Sequence, residues 1–288
     1  MKSFLTGSLL VLAFFFSPNT STAQQKKVEE VSKGPGIVRT VVKHERRRFL
    51  YGGTLTLDGA PAGSITIESW PNTEVDITAE IELRANSEAD LDRLALVNMI
   101  VLDDDANHIR IVTTGTHDKS FMKQVKKFPK HLLGLPWKVD YRIRVPVTTD
   151  LEINAGRGPI KVNDVEGNIR ISAAESETNL RLSGGAVNAM VAIGKVNLTV
   201  PVKSWRRGGV DIRVAAGEIN VELPPGFAAD IDGDILRTGR IVDAYGGLEV
   251  RDKPGITPQK IKARSGAGGT WFQLTVGDGT ITIKKQAN

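Results

Sequence analysis

The sequence predicts an all-β fold, a repeat-built β-solenoid or solenoid-like sandwich with one short helix. Three observations indicate this class. A pattern of glycine, any residue, apolar, polar, apolar recurs along the chain, and such alternation is typical of strands with one buried face. In the middle of the chain the apolar pairs return about every ten residues, a pitch that suits a strand plus a turn. Aromatic residues make up 6% of the chain, so the core must be mainly aliphatic.

The first element is a predicted secretory signal peptide, residues 1–23. Lys2 supplies the positive start, Leu5–Phe16 the apolar core, and Ser21 and Ala23 the small residues before the cleavage point. We expect cleavage after Ala23, because the apolar run is short for an uncleaved membrane anchor. The mature chain is then exported, periplasmic or secreted, and we expect no transmembrane segment in it.

Residues 24–51 are predicted to be a polar lead-in or linker. The densely charged run His44–Arg48 lies at its end. Such a run can bind an anion, and it is also typical of the exposed face of a strand.

A first β unit is predicted over residues 52–116. It begins with the units Gly53–Leu57 and Gly63–Ile67. Within it, Ser87–Val97 predicts a short helix, because Ser87 is a good N-cap and the leucines that follow are spaced for one face. The strands after this helix are expected to form a hairpin around the acidic turn Asp103–Asn107.

Residues 117–138 are an insert that breaks the strand pattern, with six lysines among apolar residues. Two roles are open for this insert. Its apolar side chains can cap the open end of a solenoid, or its cations can contact an anionic membrane or polymer. The residues expected to make that anionic-surface contact are Lys119, Lys123, Lys126, Lys127, Lys130 and Trp137.

The last predicted segment, residues 139–285, is an array of β repeats. Each glycine is expected to mark the turn that starts a strand. A single repeat cannot bury its apolar face, so the repeats must stack on one another to be stable. Its clearest units are Gly158–Val162, Gly167–Ile171, Gly194–Leu198, Gly217–Val221 and Gly279–Ile283.

Several of these segments resemble a known family. The bacterial putative-adhesin family, an exported β-repeat domain of unknown function, has similar opening and stacked strands. The resemblance runs from Gly52 to Lys284 and leaves out the insert. It implies a stacked-strand, solenoid-like fold in exported envelope proteins, and it brings no catalytic residues. The segments that carry it are Gly63–Trp70, Val75–Ile77, Val139–Pro146, Leu151–Ile153, Gly158–Val162 and Asn168–Ile171.

Candidate catalytic and metal chemistry is sparse. The chain has no cysteine, which excludes disulfides, thiolate metal sites and a cysteine nucleophile. The acidic runs Asp103–Asn107 and Asp230–Asp234 could hold calcium, but the first lacks the glycine and glutamate of an EF-hand loop. The histidines, which show no metal-ligand spacing, are His44, His108, His117 and His131. We therefore predict no catalytic, cofactor or metal residues.

The function predicted from these features is that of a non-enzymatic exported envelope protein, an adhesin or scaffold acting by surface contact. With a net charge of +5, expected partners are an anionic envelope polymer, a glycan or another envelope protein, and no nucleic acid. Two alternatives stay open. One is a carbohydrate-active enzyme on a β-solenoid, which would show carboxylates and aromatic residues along one groove. The other is an accessory domain in envelope-stress signalling.

Overall fold

Alternating aliphatic and polar residues form long strands throughout the computed structural model, which describes residues 36–286. The predicted signal peptide and the lead-in up to residue 35 lie outside the described residues. The strands of the first half are β1 (Ile37–Arg48), β2 (Thr54–Ala62), β3 (Ile65–Trp70), β4 (Glu74–Ala85), β5 (Met99–Asp104), β6 (His108–Thr114), β7 (Trp137–Pro146), β8 (Asp150–Arg157) and β9 (Ile160–Asn163). Those of the second half are β10 (Asn168–Arg181), β11 (Ala186–Thr199), β12 (Val210–Leu223), β13 (Ala229–Ile235), β14 (Gly239–Ala244), β15 (Leu248–Val250), β16 (Lys260–Ser265) and β17 (Thr270–Lys285).

The helices are few and short in this part of the chain. They are α1 (Glu88–Val97), α2 (Lys119–Met122) and a 3-10 turn at Lys130–Leu132. The 17 strands belong to one mixed sheet, so the prediction of a mostly β chain is confirmed.

The long strands β10, β11, β12 and β17 lie side by side, parallel and in register. Asn179 is followed by Asn197 after 18 residues and by Asn220 after 23 more, and these three side chains form a hydrogen-bonded ladder with distances of 2.8 and 2.9 Å. Amide ladders of this kind satisfy polar groups between stacked strands. Three of the long strands each contain one of the five-residue units predicted from the sequence: Gly194–Leu198 in β11, Gly217–Val221 in β12 and Gly279–Ile283 in β17.

The earlier strands extend the same stack as pairs. β8 and β9 each pair with β10, and β2 and β3 pair with β8 and β9. One face of the stack therefore runs β6–β2–β8–β10–β11–β12–β17–β13, and the other runs β4–β7–β3–β9–β10–β11–β12–β17–β14. β17 lies between β12 and β13 in space, although β13 to β16 precede it in sequence.

The core is made of mainly aliphatic rows that cross the stack at matching positions. In one row every side chain is at most 3% exposed, and register pairing joins each residue to the next. This row is Leu55, Leu151, Ile169, Val187, Val210 and Phe272. Buried apolar area of this kind is the main stabilising term of such a fold.

A column of glycines forms the corner where each layer bends from one face to the other. Gly194, Gly217 and Gly279 have φ of +135°, +142° and +143°. A Cβ on Gly217 would lie 1.7 Å from the carbonyl oxygen of Gly194, and one on Gly279 would lie 1.7 Å from that of Gly217. These glycines lie inside continuous strands, so the expectation that each glycine precedes a strand is wrong here. Only glycine tolerates both this backbone conformation and this close approach.

The predicted helix and hairpin are both confirmed. Ser87 caps α1 by accepting a hydrogen bond from Asp90 N at 3.2 Å, and Leu91, Leu94 and Val97 are buried on one face. β5 and β6 pair as antiparallel strands around the acidic turn.

Part of the predicted lead-in is a strand. β1 forms twelve register pairs with β4, from Ile37 opposite Ala85 to Arg48 opposite Glu74. The run His44–Arg48 forms the end of this strand, because its alternating side chains suit an edge position where one face stays in water. In the described residues no helix is long and apolar enough to span a bilayer.

Candidate functional site

The insert, residues 117–138, lies where one layer of the stack turns its corner. β6 ends at Thr114 and β7 begins at Trp137. In the neighbouring layer, β2 and β3 are joined directly through Gly63, which approaches the backbone of Val139. The insert therefore takes the place of a short glycine corner.

The insert is locally ordered by its own polar groups. Asp118 Oδ1 accepts hydrogen bonds from Ser120 N at 2.8 Å and Phe121 N at 3.1 Å, which begins the single turn α2. The 3-10 turn follows Pro129, whose fixed φ suits the start of a helical turn.

Apolar side chains fix the insert to the core. Leu132 is fully buried, and Phe128, Leu135 and Trp137 are partly buried against the core cluster. The Trp137 ring lies 5.2 Å from that of His117, and partial burial lowers the pKa of His117. The inward side of the insert is thus a small hydrophobic contact of the kind expected of a cap.

The outward side of the insert carries the predicted lysines. All five of them are exposed, and none has a carboxylate oxygen within 4.0 Å among residues 36–286. Asp118 is the single acidic residue in the segment. Lys138 differs, because hydrogen bonding to Asp140 at 2.8 Å and the nearby Glu82 raise its pKa. The insert thus presents uncompensated positive charge to solvent.

The structure therefore divides the predicted contact residues into two groups. The lysines Lys119, Lys123, Lys126, Lys127 and Lys130 share the exposed side of one short segment. Trp137 faces the core side, where it contacts His117. Binding by the lysines stays a prediction.

The two acidic runs are occupied by protein donors. Asp105 Oδ1 accepts from the backbone of Asn107 and His108 at 2.7 and 2.8 Å, and these bonds lower its pKa. Asp230 accepts from Arg264 Nε at 2.9 Å. Gly233 lies inside β13, which continues through it to Ile235. In the part of the chain that the structure describes, no three histidine or acidic side chains are grouped for a metal.

A buried carboxylate that the sequence analysis missed organises the charged end of β1. Asp76 is 4% exposed and accepts from His44 Nε2 at 2.6 Å and from Arg144, with Arg46 at 3.4 Å. Burial opposes its ionisation, but the hydrogen bonds from Arg144 and His44 outweigh this and lower the pKa of Asp76. The guanidinium of Arg144 also lies 4.4 Å from the ring centre of Trp70. These side chains bind an internal carboxylate, and the strand register that brings them together cannot be read from the sequence.

Comparison with known proteins gives names for similar structures. No family model matches the chain, and no curated protein matches it. The chain is similar to a putative cell adhesion protein from Clostridium sporogenes, with 17% identity, a TM-score of 0.48, and coverage of 85% of this chain and 100% of that one. It is also similar to putative adhesins from Bacteroides fragilis, with 12% identity and a TM-score of 0.28, and from Parabacteroides distasonis, with 10% identity and a TM-score of 0.28. Each of these two alignments covers 84% of this chain and 97% of the other.

A fourth similar structure, also from Parabacteroides distasonis, is named as a putative lipid binding protein, with 11% identity and a TM-score of 0.23 over 88% of this chain and 98% of that one.

Proposed function

We propose that this chain is an exported, non-enzymatic envelope protein, an adhesin or scaffold that acts by surface contact. The observation that carries the proposal is the insert, whose five exposed lysines have no carboxylate partner in the described residues while its apolar side is fixed to the core. Exposed charges that are not neutralised within the protein are free to neutralise a partner.

The stack supports this role as a rigid support. Parallel, in-register layers joined at glycine corners have the arrangement of a solenoid, and we propose that the fold is of this type. In such a fold each layer is stabilised by its neighbours, and terminal layers need covering. The insert covers apolar surface and carries its lysines outward from the same segment.

The partner that fits this insert is an anionic envelope polymer. Attraction between exposed lysines and a polyanion acts over about 10 Å at 0.1 M salt and weakens as salt is added. The net charge of +5 acts in the same direction. The predicted signal peptide gives such a protein access to envelope polymers, either in the periplasm or after secretion.

Each of the two alternative functions has a requirement of its own. An accessory role in envelope-stress signalling needs a partner chain. A carbohydrate-active enzyme needs a carboxylate free for proton transfer.

The test is binding to dextran sulfate, with uncharged dextran as the matched control polymer. In one variant the five insert lysines are changed to glutamine. A control variant changes five lysines elsewhere, so that net charge falls equally: Lys161, Lys203, Lys253, Lys262 and Lys285. We expect the insert variant to bind at least tenfold more weakly at low salt, since each lysine near an anionic surface contributes up to about 1 kcal/mol. Equal losses in both variants would show an effect of net charge alone and would contradict the proposal.

A further inference from the structure

A groove on the outer face of the stack collects the exposed aromatic residues. Of the aromatic side chains in residues 36–286, Tyr51 and Trp271 are the two that are exposed, at 79% and 50%. Trp271 lines a cavity of about 510 Å³, and Tyr51 lines one of about 310 Å³. Both cavities share Asp150, Asn168 and Ala186 as lining residues, so they form one continuous depression. We call it the aromatic groove.

Strand register explains why a depression forms there. Neighbouring strands place a single line of residues across the sheet at the start of β2, β8, β10, β11, β12 and β17. The small residues Ala186 and Gly209 occupy β11 and the approach to β12. These small residues form the bottom of the groove, and the Trp271 side chain forms one of its walls. Three strand spacings of about 4.8 Å separate Asn168 from Trp271, roughly 14 Å in all.

The polar groups of the groove are held by neighbours. Asp150 accepts from Asn168 N at 2.7 Å and from Asn168 Nδ2 at 2.9 Å. Asp211 accepts from Arg213 Nε at 3.0 Å and Nη2 at 2.7 Å. These bonds fix the carboxylates in position, and each retains further lone pairs for a ligand's hydroxyl groups.

The groove has no excess positive charge to attract an anionic ligand. Four carboxylates line the two cavities, together with two guanidinium groups, those of Arg170 and Arg207. Arg206 and Arg213 lie beside this lining and pair with Glu166 at 3.5 Å and with Asp211 at 2.7 Å, so the carboxylates and guanidinium groups balance. The groove therefore carries no excess charge, whereas the insert is positive. The carboxylates are Asp150, Glu152, Glu166 and Asp211.

From this arrangement we propose that the aromatic groove binds a neutral, hydroxyl-rich saccharide. The C–H face of a sugar ring is apolar and packs on the electron-rich face of an aromatic ring, here Trp271 or Tyr51. The hydroxyl edges of the sugar donate to Asp150 and Asp211 and accept from Asn168. The size suits a short oligosaccharide, because ligand sites of about 300–1,000 Å³ are typical of small-molecule binding. The carboxylates of Asp150 and Asp211 already accept hydrogen bonds from Asn168 and Arg213, which suits binding rather than proton transfer.

The experiment is calorimetric titration of the purified protein with chitohexaose, cellohexaose and maltohexaose. We expect at least one to bind, with an affinity that does not change between 50 and 500 mM salt because the ligand is uncharged. Trp271→Ala and Tyr51→Ala should each weaken binding about tenfold, because tryptophan and tyrosine are the residues whose truncation most often weakens binding at an interface. Leu236→Ala, which removes a side chain 65% exposed outside the groove, is the matched control and should bind as the wild type does.

Three results would overturn the proposal. The first is that none of the three hexasaccharides binds, and the second is that binding is unchanged in Trp271→Ala and Tyr51→Ala. The third is that Trp271→Ala changes the oligomeric state in sedimentation velocity without altering saccharide binding, which would make the groove a contact between copies of the chain. The insert-lysine variant should keep its saccharide binding, so the two proposals succeed or fail separately.

Discussion

Substitution of a corner glycine provides a sharp test of the stacked architecture. In Gly217→Ala the new methyl group would lie 1.7 Å from the carbonyl oxygen of Gly194. Carbon–oxygen contacts need roughly 3.3 Å, so β11 and β12 would have to separate by roughly 1.5 Å at the corner. The φ of +142° is also a conformation that alanine adopts only at a cost of about 1–3 kcal/mol.

Together these effects predict a loss of roughly 3–5 kcal/mol, because about two strand hydrogen bonds worth about 1 kcal/mol each are also disturbed. That is a large share of the stability of a typical domain, about 5–15 kcal/mol. The assay is urea and thermal unfolding, where we expect the melting temperature to fall by roughly 10 °C.

Gly134→Ala is the control for this substitution, because nothing lies within 4 Å of its added Cβ and its φ is not left-handed. We expect a change within about 0.5 kcal/mol. If Gly217→Ala were as stable as Gly134→Ala, the close approach of the layers at the corner would be refuted.

Two further predictions concern titratable groups. Asp76→Asn should cost roughly 2 kcal/mol at pH 7 by weakening the charged hydrogen bond from Arg144. Because the pKa of Asp76 is lowered in the fold, the wild type keeps this contribution above about pH 4 and loses it in more acid solution. The difference in unfolding free energy between the wild type and Asp76→Asn, measured by urea unfolding, should therefore be smaller at pH 3 than at pH 7. Partial burial lowers the pKa of His117, so stability should fall as the pH drops below about 6.5. His117→Gln should flatten that part of the pH profile, and an unchanged slope would contradict the assignment.

Local signals in the sequence predicted the local structure well. Ser87 and the spacing of Leu91 and Leu94 were enough for α1, since a cap and one apolar face are both short-range features. The repeated alternation likewise predicted the strands. The polar turn at Asp105 follows from side-chain to backbone bonds between near neighbours.

Long-range features could not be predicted in this way. The role of Gly217 as a corner depends on Gly194 in the preceding layer, and the position of β17 depends on pairing of Val210 with Phe272, distant in sequence. Sequence periodicity marks which face of a strand is buried, but it does not name the neighbouring strand.

The same division between short-range and long-range features applies to the candidate functional site. The exposed lysines of the insert followed from composition, because a lysine-rich segment with few acids cannot neutralise itself. The inward position of Trp137 and the convergence of Tyr51 and Trp271 on one groove depend on how distant strands stack. Aromatic residues make up 6% of the chain, yet two of them are enough for such a groove when the fold brings them together.

The measurement that tests surface contact most directly is an array of anionic and neutral envelope polysaccharides. It is probed with the wild-type protein, with the variant in which the five insert lysines are glutamine, and with Trp271→Ala. We predict that anionic spots bind the wild type at low salt and are lost in the lysine variant, and that neutral spots resist salt and are lost in Trp271→Ala. An array without wild-type binding, or with binding that neither variant alters, would contradict the account.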